Sequence, residues 1–411
     1  MALEAPPIGA PQTESKSPAS GRSAASRVDY LDGLRGLACL LVVIYHCYTT
    51  LHWHLYLPLP GHFDLASLEF LGYTGVNLFL VLSGICLFLP VVRKDGILNV
   101  RDFAIRRCWR IIPPYYAALI VVLLYIWVAR LDYRPTYYIA ALATHFLFIH
   151  NLFYAYTKGI IGPAWTLALE AQWYVVFPLL VVAYRLFPPR WVLLSTLLVS
   201  AAFRVAAIPL FHPTQSSSVF FSIMGSLPSR IFEFSLGMFI AGYLARPKSK
   251  EYRLTRWDWV WLAAAAAQIL WLAYVGLSKI GPRTWPFTDA AYGILFAGLT
   301  LLAAKSASAA YRVFTSKAAM WLGTISYSIY LIHLPVINIL APRLARFANI
   351  PHANFLLGWF VLLPIAILCG WIFYLLFERP TLLHLQKVRA AQRQKPALAA
   401  AEEASDLSAS P

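Results

Sequence analysis

The run from Tyr30 to Tyr48, YLDGLRGLACLLVVIYHCY, carries Asp32 and Arg35 near one end and His46 near the other. Read as an α-helix, the step from Arg35 to His46 turns through about 1100°, about 20° past three full turns. The two side chains therefore share a face, roughly 16 Å apart along the axis. An ionisable group inside an apolar run is costly and is a functional candidate by default. His46 can gain and lose a proton near neutral pH; packing at the outer interface is the alternative for it. Arg35 either supports a reaction through its charge or snorkels to lipid headgroups.

Other apolar segments carry groups of the same kind. Gly75–Gly84 holds Asn77, Ser83 and Gly84, small residues that allow close helix approach. Phe103–Pro114 places Arg107 and Arg110 at i,i+3 on one helix face. Their forked guanidiniums suit bidentate phosphate binding, and lipid headgroups would satisfy the same face. Trp165–Tyr174 opens a span containing Glu170, a carboxylate that calls for an Arg or His partner from a neighbouring helix. Leu322–Pro335 puts Tyr327, Tyr330 and His333 within two turns, where an aromatic belt also accounts for the tyrosines. Arg204, Arg230 and Glu233 are further candidates, and the last two are spaced to pair with each other.

The elements that hold these residues follow from composition. Of 411 residues, 60% are hydrophobic, 15% aromatic and 13% charged, about half the ~25% charged share of soluble domains. Mean hydropathy is +0.63. A chain this apolar is an integral membrane protein, not two or three soluble domains. The net charge of +16, from 34 Lys and Arg against 18 Asp and Glu, falls in short clusters between apolar runs. Topology-setting loops look like this; a nucleic-acid-binding surface would interleave its charge with polar residues. Cys39, Cys47, Cys86, Cys108 and Cys369 show no paired spacing, so reduced thiols and no metal site are expected.

A span needs ~20 mostly apolar residues. Eleven stretches qualify, centred near residues 46, 81, 121, 145, 175, 200, 236, 266, 295, 330 and 366. The 93–110 segment is rich in arginine while 51–71 has no Lys or Arg, which places the first in the cytoplasm and the second outside. The basic cluster at 246–256 belongs with the first. An even number of crossings must then separate 110 from 246, yet five candidates lie between. The polar stretch 137–152, with His145, His150 and Asn151, is the one expected to be re-entrant or a half-helix. Such a segment must be covered by protein or line a cavity. The expected fold is all-α: about ten transmembrane helices over residues 27–383, both termini cytoplasmic, in the plasma (inner) membrane. A disordered tail is expected over 1–26, and a basic, then low-complexity, tail over 384–411.

Taken in order, these segments resemble the acyltransferase-3 family, multi-span O-acyltransferases that modify bacterial sugars and cell-surface polymers. The likeness covers essentially residues 28–383. It rests on Arg35-x10-His46, the FLVLSG run ending Ser83-Gly84, Arg107-x-x-Arg110 with Ile111 and Pro113, Trp165-Thr-Leu-x-x-Glu170-x-x-Trp-Tyr174, Ser326-Tyr-Ser-Ile-Tyr-Leu-x-His333, and Glu378-Arg-Pro380. Thr166, Trp173 and Ile85 stand where the family commonly has Ser, Phe and an aromatic. The extracellular SGNH esterase-like domain fused to some relatives is expected to be absent.

The resemblance implies transfer of an acyl group, expected to be acetyl, from cytoplasmic acyl-CoA as co-substrate to a hydroxyl of a carbohydrate or glycolipid acceptor. It implies His46 as general base, Arg35 as electrostatic support and Glu170 as the group holding a partner in place. Arg107 and Arg110, with Ser83, would form the CoA site. Asp32, Tyr327, Tyr330 and His333 are further candidates, His333 as the competing base. No permanently bound cofactor and no nucleic-acid partner are expected. The alternative is a proton-coupled transporter or flippase of a glycolipid or small metabolite, with Arg35, His46 and Glu170 as a proton relay. Transport without CoA dependence would favour that alternative. A scaffold that keeps the fold without activity is a third reading, against which the retention of both Arg35 and His46 argues. The span count is itself testable: a reporter fused to the C-terminus should score as cytoplasmic, and an external C-terminus would restore 137–152 as a full span.

Overall fold

The computed structural model describes residues 29–51, 71–129, 135–211, 218–245, 285–344 and 353–388, with isolated positions between 259 and 267 and at 346. These residues form helices and turns without strands. The helices are α1 (Asp29–Leu51), α2 (Gly75–Val92), α3 (Val100–Val128), α4 (Pro135–Phe146), α5 (Trp165–Leu186), α6 (Pro189–Phe211), α7 (Ser218–Met224), α8 (Leu227–Leu244), α9 (Trp285–Ala303), α10 (Ala309–Phe314), α11 (Lys317–Leu344) and α12 (Ala353–Val388). Seven of them (α1, α2, α3, α5, α6, α11 and α12) are long and apolar enough to cross a membrane, and the protein is a multi-pass membrane protein. α8 and α9 occupy two more of the expected span positions. The span expected near 266, the 246–256 cluster, the 1–26 tail and most of 384–411 lie outside the described residues.

The faces turned away from the bundle are apolar, as lipid contact requires: Ile120, Leu124 and Trp127 of α3, Val175 and Leu179 of α5, and Phe360 of α12 are all exposed. α2 is the central helix, with 72% of its apolar window buried inside the protein. α3 begins before the apolar run, because the Asn99 side chain caps it by accepting from the Asp102 amide at 3.0 Å. Arg107 and Arg110 are thereby held on a rigid helix, not a loop. α12 is continuous but contains two π-helical turns, at Gly358–Leu362 and Tyr374–Glu378.

The polar segment does not span. α4 has 12 residues, about 18 Å of helix against a hydrocarbon core of ~30 Å. Helix direction gives an independent argument. Asn77 meets Glu233 and Gly84 meets Gly237, so α2 and α8 run parallel. Parallel spans need an odd number of crossings between them, which α3, α5 and α6 supply without α4.

Among the helix pairs that approach at backbone distance, two bear on the site. A Cβ on Gly84 would strike the Phe234 carbonyl of α8, and one on Gly237 would strike the Val81 carbonyl of α2. Beside this crossing the Trp173 ring of α5 stacks on Phe234 at 4.3 Å. A Cβ on Gly323 of α11 would strike the Asp32 carbonyl of α1. Overpacking of this kind costs on the order of 1–3 kcal/mol. Gly237→Leu should therefore lower the thermal unfolding temperature in detergent and cut the monodisperse yield. Gly242→Leu, at a position with nothing within 4 Å of an added Cβ, should leave both unchanged; equal losses would remove the crossing from the account.

Candidate active site

α1 and α11 start on the same side and stay in register, which brings His46 and His333 to the same depth. His46 Nδ1 lies 3.2 Å from His333 Nε2 and 2.9 Å from the Val42 carbonyl. His333 Nδ1 lies 2.9 Å from the Tyr330 carbonyl and 3.1 Å from that of Ile329. His333 is fully buried. His46 stands in front of it and lines a cavity of about 680 Å³, inside the ~300–1,000 Å³ range of small-molecule sites. The wall around His46 is aromatic and polar: Tyr45, Tyr73, Lys158, Trp165 and Asp289.

A smaller cavity of about 180 Å³ lies toward the end where α1 and α11 begin. Arg35, Ser83, Arg107, Arg110, Glu170 and Tyr327 line it, so three guanidiniums face one carboxylate. Asp32 supports Arg35 at 3.8 Å one turn away. Arg107 sits over the rings of Phe103 and Tyr174, 5.8 and 5.6 Å from their centroids. Its Nε is buried with no hydrogen-bond partner among the described residues. Glu170 takes its hydrogen bond from Tyr174, one turn along α5, at 2.6 Å, and the arginines of α1 and α3 that share its cavity stand where an Arg partner from a neighbouring helix was expected. Tyr327 is tied down by donating to the Ile111 carbonyl at 2.9 Å, beside the Pro113–Pro114 step of α3. Glu378, which closes the second π turn of α12, accepts from Ser328 at 2.6 Å.

Val76 and Tyr330 line both cavities. At this junction the Tyr330 hydroxyl accepts from Thr166 at 2.8 Å and donates to the Pro163 carbonyl at 3.2 Å. Thr166 thus supplies the hydroxyl that a serine would supply. Arg35 and His46, predicted on one face of one helix, line different cavities on either side of this junction. Arg35 is grouped with Arg107, Arg110, Ser83 and Glu170, and His46 with His333.

The segment after α4 forms one wall of the larger cavity through Lys158, Gly159 and Pro163, as a polar segment at membrane depth requires. It is pinned by amides. Gln172 donates to the Phe148 carbonyl at 3.1 Å and to Asn151 at 2.8 Å, and Asn151 donates to the Gly225 carbonyl at 2.9 Å. The buried rings of His145 and His150 stack at 3.8 Å.

On the wall of the same cavity, a buried cluster joins four helices. Arg230 contacts Asp289 at 2.8 Å and Glu233 at 3.1 Å, Arg204 contacts Asp289 at 3.1 Å, and Asn77 donates to Asp289 at 3.1 Å. The Arg230–Glu233 pairing was legible from spacing. Asp289 was not singled out, although a lone acid in an apolar run is the same signal that marked Glu170. Lys158, Tyr45 and Tyr73 carried no sequence signal, because each sits at the end of a run where polar and aromatic residues are ordinary.

A family model described as an acyltransferase domain matches residues 28–375. Among curated proteins, the chain is 27% identical over 343 residues to the peptidoglycan O-acetyltransferase OatA of Listeria monocytogenes, covering 77% of this chain and 50% of that one. It is 28% identical to the putative peptidoglycan O-acetyltransferase YrhL of Bacillus subtilis (76% and 49%) and 26% identical to the O-acetyltransferase OatA of Staphylococcus aureus (75% and 50%). The chain spans about half the length of these relatives. No solved structure matches. With one family model running from the first turns of α1 into α12, the chain belongs to the acyltransferase-3 family.

Proposed function

We propose that the protein is a membrane O-acyltransferase that moves an acetyl group from acetyl-CoA to a hydroxyl of a sugar-containing acceptor, a cell-surface polysaccharide or its glycolipid precursor. The observation that carries this reading is the junction of two unlike cavities at Tyr330 and Val76, one lined by guanidiniums and the other by an imidazole. The relatives named above, O-acetyltransferases of peptidoglycan in two cases, support the acetyl group and the polysaccharide class.

Arg107 and Arg110 take the donor's phosphates, Arg35 and Ser83 complete that site, and the narrow thioester end points toward Tyr330. The smaller cavity is below the usual size of a small-molecule site, so it holds part of the donor, with the nucleotide outside it. On this reading the donor enters from the cytoplasm, where the 93–110 segment lies, and both termini are cytoplasmic. Glu170, fixed by Tyr174, offsets part of the arginines' mutual repulsion.

The acceptor lies in the larger cavity against the aromatic wall. His46 Nε2 removes the acceptor hydroxyl's proton as its oxygen bonds to the acyl carbon. The carbon–sulfur bond then breaks, and the departing CoA sulfur takes the proton back from His46. His333 touches neither cavity, so His46 is the imidazole with access to substrate.

Mass spectrometry of surface glycans and glycolipids from cells with and without the protein should reveal an acetyl mass that disappears with it. In membranes carrying the protein, a positioned base contributes ~10²–10⁴-fold in rate. His46→Ala should therefore reduce CoA release from acetyl-CoA by about that factor with the KM for acetyl-CoA nearly unchanged; wild-type turnover would remove His46 from the chemistry. Arg107→Ala and Arg110→Ala should do the reverse. Each loses a charge-assisted bond worth ~1.5–3 kcal/mol, so the KM for acetyl-CoA should rise at least about tenfold. An unchanged KM in folded protein would make these residues lipid anchors.

A further inference from the structure

His333 is buried, reaches neither cavity, and still spends both ring nitrogens on defined partners. A neutral imidazole carries one N–H and one lone pair, and which nitrogen holds the proton is set by what the other atoms around it can do. The Tyr330 and Ile329 oxygens facing His333 Nδ1 only accept, so that nitrogen is the donor and Nε2 is the lone pair. His46 Nδ1 faces two acceptors, the Val42 carbonyl and the His333 lone pair, so it too carries its proton. This leaves the lone pair of His46 on Nε2, a nitrogen with no hydrogen-bond partner among the described residues, on a side chain that lines the larger cavity.

We infer that His333 is a positioning residue for His46: its Nε2 holds the Nδ1 proton of His46, keeps Nε2 of His46 in the basic form, and strengthens its hold as His46 takes up the acceptor's proton. The inference rests on the reading of His46 as the base. The Val42 carbonyl alone restrains the tautomer weakly, because it belongs to His46's own helix, where the backbone amide one turn along competes for it. The His333 lone pair comes from a second helix fixed by the Gly323 crossing. When His46 becomes an imidazolium, its Nδ1–H turns into a charge-assisted donor, and such bonds are roughly twice as strong as neutral ones. The gain appears as positive charge develops, so it lowers the barrier without tightening donor binding. No proton leaves Nδ1 in the cycle: the proton taken at Nε2 is the one returned to the CoA sulfur. The arrangement follows the general logic of a base oriented by a third group, with a neutral imidazole in the orienting place.

The test uses membranes from cells that naturally make the protein, with release of free CoA from acetyl-CoA as readout, normalised to protein amount. His333→Gln keeps an amide oxygen able to accept from His46, and should hold turnover within about tenfold of wild type. His333→Leu, similar in bulk but without an acceptor, should lower turnover about 100-fold with an unchanged KM for acetyl-CoA. In a His46→Ala background, His333→Leu should cost nothing further, because a group that acts through His46 has nothing left to act on. If the leucine variant does not accumulate, His333→Phe, which keeps a ring and loses both nitrogens, takes its place in the same cycle. Equal losses in both backgrounds would make His333 a packing residue and overturn the inference. So would wild-type turnover in His333→Leu while His46→Ala is inactive, and in that case the base assignment would stand. Wild-type turnover in His46→Ala would overturn the base reading and the inference together.

Discussion

The contact on which the site depends is the close, parallel packing of α1 on α11. Gly323 gives up its side chain so that the Asp32 carbonyl can approach, and Gly36 packs against the Gly323 amide one turn further along. From there the helices stay in register. Cys39 donates to the Ser326 carbonyl and His46 meets His333, both across a separation of 287 residues. A constant separation is the mark of parallel helices. The two contacts are seven residues apart on each helix, and a seven-residue step returns to nearly the same face. The crossing near one membrane surface thus fixes which residue stands behind His46 near the other.

Charge inside the bundle is handled in two ways. Arg204, Arg230, Glu233 and Asp289 balance, with every charged group in contact with an opposite one. Removing one partner from such a set strands a buried charge. The cluster therefore ties α6, α8 and α9 together, with Asn77 adding α2, the most buried span. The smaller cavity gathers charge without such tight pairing. Three arginines line it with Glu170, Asp32 stands 3.8 Å from Arg35, and among the described residues the Arg107 Nε has no hydrogen-bond partner. Phosphate suits the guanidinium fork of an arginine held this way.

The segment between α4 and α5 shows the cost of bringing irregular backbone into this environment. Phe148 has a positive φ of 55°, which is strained for a bulky residue. Its carbonyl is held by Gln172 and its ring packs on Tyr115 at 4.7 Å. Asn151 and the stacked histidines complete the support. In return the chain gains a wall at mid-bundle, ending in Pro163, whose carbonyl anchors the tyrosine between the two cavities.

The architecture was legible from one dimension because lipid imposes one-dimensional rules. A span has a minimum apolar length, and arginine clusters sort by side, so parity required one of five stretches not to cross, and His145, His150 and Asn151 marked 137–152 as that stretch. The parallel course of α2 and α8 agrees. Individual site candidates were legible for the same reason: Arg35, His46, Arg107, Arg110, Glu170 and His333 are ionisable groups in apolar surroundings, and few structural needs put them there. Their grouping was not legible. Helix periodicity linked Arg35 to His46 because both lie on α1, but periodicity says nothing of which neighbour fills the space between them. Tyr330 and Val76, from two other helices, divide that space into two cavities. The partnership of His46 with His333, and the burial of one behind the other, depends on a glycine contact about three turns away. Such contacts between distant segments leave no periodic trace in the chain, and only the packed structure decides them.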